Sequence, residues 1–123
     1  MNEQAIKKIL ITGANGFIGG SLMRYYQNHG QDTVGVDLIG NDDDIFEGDI
    51  SQPDTISQQL QECDVIIHTA ALVSNAMQDS DMWQVNVLAT RNLIQAAKQH
   101  IVRRFVQISS IVAYGNSSEG ELD

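Results

Sequence analysis

Short apolar runs alternate with longer amphipathic stretches along the 123 residues of this chain. Ile9-Leu10-Ile11 is the first run, too short for a helix and closed by Thr12-Gly13, so it reads as a buried strand. Ile18, Leu22 and Tyr25/Tyr26 then recur at helical spacing until His29-Gly30, where Gly30 reads as a C-terminal cap. Thr33–Asp37 is the second strand. Gly40–Asp44 is a turn, and Ile45–Ile50 is a short third strand. Ser51 is placed to cap a short helix that carries Pro53 in its first turn and runs to about Gln61. Asp64–Ala71 is a fourth strand and its exit, with the β-branched continuity of a strand buried on both faces. Asp79–His100 reads as a long helix with Val85, Ala89, Leu93, Ala96 and Ala97 on one stripe. Phe105–Ser110 is a fifth strand. Tyr114-Gly115 follows in a loop, and the polar tail beyond it carries no structural signal.

Five strands alternating with helices imply an α/β fold, a doubly wound parallel sheet in the order 3-2-1-4-5. No repeat or linker interrupts the pattern, so residues 1–123 form one domain. In that order the winding reverses between strands one and four, and ligands bind there, outside the carboxyl ends of the strands. Gly13–Gly19, Asp37, Asp49, Ala70-Ala71 and Ser109-Ser110 all fall at those ends.

The first strand-to-helix turn carries Gly13, Gly16 and Gly19. Gly13 suits a sharp turn, Gly16 leaves room for a phosphate, and Gly19 lets the helix lie close to the sheet. The N–H groups from Asn15 through Phe17 to Ile18 are expected to point at one spot, backed by the positive end of the helix dipole. That spot suits a pyrophosphate. The plainer alternative is a glycine-rich corner that only joins strand to helix. Asp37 follows Gly19 by 18 residues, the place for a carboxylate that accepts hydrogen bonds from ribose hydroxyls. Such a group repels a 2′-phosphate and favours NAD over NADP. Its alternative is an acid capping a strand end in solvent.

Charge narrows the partners. Sixteen acidic residues against seven basic ones give a net charge of −9, which disfavours nucleic acid and an anionic membrane surface. A dinucleotide remains compatible, because helix-end N–H groups hold it locally. The acid run Asp42–Asp44 lacks the spacing of a calcium loop and reads as a solvated turn. His68 stands at a strand end without a partner histidine in sequence, so it reads as packed or hydrogen-bonded, and no metal site is legible. Asn86 and Thr90, four apart, read as polar groups at a helix–sheet contact. Cys63, the only cysteine, lies between Glu62 and Asp64, whose charges raise a thiol pKa, and it reads as inert. One cysteine and an amino terminus without an apolar signal core fit a cytoplasmic protein.

These motifs together resemble the extended short-chain dehydrogenases, the NAD-dependent epimerase/dehydratase group. The likeness lies in T-G-A-N-G-F-I-G (Thr12–Gly19), V-D (Val36-Asp37), G-D-I (Gly48–Ile50) and H-T-A-A (His68–Ala71). It continues in N-V-L-A-T-R-N-L (Asn86–Leu93) and S-S-I-V-A-Y-G (Ser109–Gly115). The resemblance implies a Rossmann domain that binds NAD. Gly13, Gly16 and Gly19 would hold the pyrophosphate and Asp37 the ribose. Asp49 and Ile50 would flank the adenine, and Ala70 and Ala71 would line the nicotinamide side. Thr69, Asn86 and Ser109 complete the cofactor-binding set, and Ser110 matches the family's catalytic serine or threonine. The family's Y-x-x-x-K base is a departure: Tyr25, Tyr26 and Tyr114 are followed four residues on by His29, Gly30 and Ser118. The chain is therefore expected to be the amino-terminal portion of such an enzyme, inactive alone, with the substrate-binding part absent. Its parent would act on a sugar nucleotide. A hydroxysteroid dehydrogenase or carbonyl reductase of the same family and a non-catalytic dinucleotide-binding module are the alternatives. An uncovered fifth strand, and a long helix that serves dimer contacts in the family, lead to an expectation of self-association.

Overall fold

The computed structural model describes residues 5–41, 43–69 and 79–108, with the side chains of 79–83 and 85 excepted. Five parallel strands form one sheet: β1 (Ile9–Thr12), β2 (Thr33–Asp37), β3 (Ile45–Glu47), β4 (Val65–His68) and β5 (Arg104–Gln107). Their order is β3-β2-β1-β4-β5. β1 is the central strand, in register with β2 (Ile9↔Thr33) on one side and β4 (Ile9↔Val65) on the other. The helices are α1 (Phe17–Asn28), α2 (Ser57–Leu60) with a 3-10 turn over Pro53–Ile56 before it, and α3 (Asp79–Gln99).

Strand alternation sorts the core into two layers. Ile9, Ile11, Val65 and Ile67 turn to the face covered by α1, where they pack with Ala14 and Met23. Leu10, Val36 and Ile66 turn to the other face, against Ile56, Leu60, Leu93, Ala96 and Ala97. All four residues of β1 and of β4 are buried, as the β-branched run in β4 implied. Ala89 joins the buried side of α3, so four of the five stripe residues are inside and the fifth, Val85, lies outside the described side chains.

Some expectations are corrected. The buried line of α1 runs through Gly19 and Met23, with Leu22 and Tyr26 half-buried beside it. Of the other apolar positions at helical spacing, Ile18 and Tyr25 are 45% and 56% exposed. Close approach at Gly19 rotates the helix so that this line, not theirs, meets the sheet. Ser51 is not a helix cap: the 3-10 turn is capped at Gln52 without a side-chain bond, and Ser51 donates to Asp49 Oδ1 through both N–H (3.0 Å) and hydroxyl (2.7 Å). β3 and β5 are shorter than the apolar runs that announced them. At the end of α1, the Gly30 N–H donates to the Gln27 carbonyl, the capping role read from sequence.

Candidate functional site

The carboxyl ends of β1, β2 and β4 open onto a cleft of about 780 Å³, a volume typical of small-molecule sites. Its floor begins with the turn out of β1. Gly13 has φ +68°, a left-handed conformation that glycine takes without strain. Gly19 faces that turn closely: a Cβ there would lie 2.1 Å from the Gly13 carbonyl oxygen. Glycine at both positions is what lets α1 start directly above the end of β1.

The start of α1 is bare. Its N-cap is Gly16, no side chain caps it, and its first turn contains no acid, in a chain with sixteen of them. First-turn N–H groups have no partner within their own helix. Phe17 and Ile18 line the cleft, which puts two such donors at its edge with the helix dipole behind them. A Cβ on Gly16 would sit 3.3 Å from the Gly13 oxygen, a tight contact, so a side chain here would crowd the turn. One detail departs from the sequence reading. The N–H groups of Asn15 and Gly16 are directed inward: Asn15 donates to Asp37 Oδ2 (2.8 Å) and Gly16 to the Gly13 carbonyl (3.0 Å).

Asp37, at the end of β2, thus stands beside the glycine turn. Its Oδ1 accepts the Leu38 N–H at 2.7 Å. A carboxylate has about four lone-pair sites, and these two bonds leave room for two hydroxyl donors. On the β3 side, Asp49 and Ile50 lie in a loop held by Ser51 and by the Thr55 hydroxyl, which accepts the Asp49 N–H at 2.9 Å. Asn92 on α3 ties that loop down by donating to the Ser51 carbonyl at 2.9 Å.

On the β4 side, His68 is 3% exposed. Its Nδ1 lies 2.7 Å from Thr12 Oγ1 and its Nε2 3.0 Å from Thr90 Oγ1 on α3. Thr12 Oγ1 also accepts the Thr69 N–H at 3.1 Å. All these groups are satisfied if the Thr12 hydroxyl donates to Nδ1 and Nε2–H donates to Thr90. Burial pushes the imidazole pKa from 6.5 down to about 4. His68 is a neutral strut between β1, β4 and α3, as its packed reading anticipated. Cys63 is buried, and burial first, with a small addition from Asp64, pushes its thiol up to about 11. The thiol is raised as the sequence suggested, though desolvation rather than neighbouring charge is the main cause.

Of the candidate residues, Gly13, Gly16, Phe17, Ile18, Gly19, Asp37, Asp49, Ile50, Thr69 and Asn86 come together around the cleft. Asn15 stands behind Asp37 rather than on the lining. Ala70, Ala71, Ser109, Ser110 and Tyr114 lie outside the described residues. Leu38, Gly48, Ser51, His68 and Ala89 also line the cleft without having been singled out as ligand contacts. Leu38 was findable, because it directly follows the acid that closes β2. No described group of His, Cys, Asp or Glu is arranged to hold a metal ion, and no described helix is long and apolar enough to cross a membrane.

An uncapped helix start, a glycine turn and a strand-end carboxylate around one switch-point cleft define a dinucleotide-binding α/β domain. Residues 9–123 match the NAD dependent epimerase/dehydratase family, and the chain belongs to it. NAD is the cofactor of that family. Among solved structures, a short-chain dehydrogenase/reductase superfamily protein from Agrobacterium tumefaciens with bound NAD superposes with a TM-score of 0.79 at 30% identity. That match covers 94% of this chain and 36% of the other. MoeE5 in complex with UDP-glucuronic acid and NAD gives 0.75 at 32% identity, covering 94% and 42%. The dTDP-glucose 4,6-dehydratase of Mycobacterium tuberculosis is 29% identical over 126 residues, which cover 89% of this chain and 38% of the enzyme. The chain thus spans well under half the length of these relatives.

Proposed function

We propose that this chain is the NAD-binding domain of an oxidoreductase acting on a sugar nucleotide in the manner of epimerases and dehydratases. The observation that carries the reading is the Asp37 carboxylate, held by the Asn15 N–H at 2.8 Å beside the bare start of α1. The likeness to MoeE5, bound to UDP-glucuronic acid and NAD, and to dTDP-glucose 4,6-dehydratase supports the substrate class. The residues present fit the cofactor: N–H donors for a diphosphate, a carboxylate with open lone pairs for ribose hydroxyls, and no acid in the first turn of α1 to repel the phosphates.

In this reading the N–H groups of Phe17 and Ile18 bind the pyrophosphate, and Asp37 orients the adenosine ribose. Asp49 and Ile50 border the adenine. Thr69 and Asn86 border the path towards the nicotinamide, whose chemistry when bound is to accept and return a hydride. Ser110 would hydrogen-bond the reacting oxygen. No tyrosine in these 123 residues precedes a lysine by four, so we assign the proton-transfer pair and the substrate-binding part to residues outside them. Residues 1–123 would then be a single cofactor-binding domain of a cytoplasmic enzyme. Self-association would use the β5 edge, where Val106 and Ile108 are 36% and 38% exposed.

Titration calorimetry with NAD and NADP, on wild type and Asp37→Ala, tests this. Wild type should prefer NAD, and the variant should lose about tenfold to a hundredfold in NAD affinity with the charge-assisted bonds. Equal NAD binding by the two proteins, or equal affinity of wild type for NAD and NADP, would overturn the ribose assignment.

A further inference from the structure

We infer that Asn15 is a positioning residue that selects NAD over NADP by holding the strand-end carboxylate and the segment after it. This rests on the proposed NAD site and adds the residue that presets it.

Asn15 reaches across to the end of β2 twice. Its backbone N–H donates to Asp37 Oδ2, and its side-chain Nδ2–H donates to the carbonyl of Ile39. With the Leu38 N–H on Asp37 Oδ1, residues 37 to 39 are fixed at three points before any ligand arrives. The connection from β2 to β3 is tied further along as well. Asn41 Oδ1 accepts the N–H groups of Asp43, Asp44 and Ile45, each at 2.9 Å, and Gln27 Nε2 on α1 donates to Asp44 Oδ2. The first strand–turn–helix unit thus grips this loop at both ends, through Asn15 and through Gln27.

The loop so held carries no lysine or arginine from Leu38 to Asp44 and three consecutive aspartates. A 2′-phosphate projecting past Asp37 would meet a carboxylate that cannot swing away, because Asn15 and Leu38 each occupy one of its oxygens. Free rotation of Asp37, or outward movement of Leu38-Ile39, is what would relieve that repulsion. Only the second Asn15 bond depends on its side chain, so substitution there loosens the loop while the N–H bond to Asp37 remains. Asn15 is exposed and not in a positive-φ conformation, so alanine is accommodated without strain.

The test uses Asn15→Ala in the full chain, with two readouts. The first is amide hydrogen exchange without ligand: amides of Leu38 to Asn41 should exchange faster in the variant, while those of β4 stay unchanged. The second is calorimetry with NAD and NADP: NAD affinity should fall about three- to tenfold and the NAD preference should shrink by a similar factor. If Asn15 instead touched the dinucleotide directly, the variant would bind NAD and NADP more weakly by the same factor and keep its preference. Unchanged exchange at Leu38–Asn41, or an unchanged NAD-to-NADP ratio in a variant whose wild type binds NAD, overturns the inference alone. Failure of wild type to bind either dinucleotide overturns the proposed function and this inference together.

Discussion

Neighbouring glycines on α1 should respond differently to alanine. Gly19 and Gly20 both lie in the helix, so each gains the same helix preference of about 0.8–1 kcal/mol on becoming alanine. They differ in what the new methyl meets. At Gly20 the nearest atoms are the Ala14 oxygen at 3.4 Å and Arg24 Nη1 at 3.6 Å, ordinary contacts. At Gly19 they are the Gly13 oxygen at 2.1 Å, the Gly13 carbonyl carbon at 2.8 Å and Ala14 Cα at 3.0 Å, all backbone. Comfortable separation for such atoms is about 3.5 Å, so the turn and the helix must part by more than an ångström. Overpacking of this kind costs about 1–3 kcal/mol, and no flexible side chain is there to absorb it. Because the helix gain cancels between the variants, Gly20→Ala should exceed Gly19→Ala in stability by about that 1–3 kcal/mol. Urea unfolding followed by far-ultraviolet circular dichroism gives the midpoints directly. Gly19→Ala should also weaken NAD more than Gly20→Ala does, since it displaces the turn proposed to hold the diphosphate. Matching midpoints for the two variants would refute the close contact between the start of α1 and the end of β1.

Three further outcomes follow from the buried polar groups. His68 binds its proton less readily folded (about 4) than unfolded (6.5), so the unfolded state takes up more protons between those values. Stability should be full above pH 6.5 and fall by about 3 kcal/mol as the pH drops towards 4, and His68→Gln should flatten that slope. Thr90→Val removes the hydroxyl beside His68 Nε2 and should cost about 1–3 kcal/mol in denaturant unfolding, with Thr90→Ser recovering much of it. Cys63 should resist thiol reagents at neutral pH in the folded protein and react promptly in denaturant, which timed labelling would follow.

The sheet was legible because its strands obey strong rules. Val65–Ile67 is β-branched and buried with the rest of β4, and Thr33–Asp37 ends on an acid at the carboxyl end of its strand. The glycine spacing likewise announced where α1 begins. Sequence spacing does not state which acceptor a given N–H will choose. Asn15 lies 22 residues from Asp37, and only the fold brings its N–H within 2.8 Å of the carboxylate. The face of α1 was half legible for a related reason. Of the apolar positions at helical spacing, Leu22 and Tyr26 pack on the core while Ile18 and Tyr25 do not, because the smallest residue, Gly19, sets where the helix touches the sheet. Ser51 had the right chemistry for a cap, but the turn starts one residue later, at Gln52, and Ser51 instead donates to the Asp49 carboxylate.

The order of synthesis runs against the order of enclosure. β1 leaves the ribosome first, yet its second flank closes only when β4 arrives, with the Thr12–His68 pair 56 residues apart in sequence. Until then a nascent chain presents one open side of its most apolar strand. Pausing of translation before His68 should therefore make this polypeptide a client for chaperones that bind extended hydrophobic segments, and release should coincide with the appearance of β4.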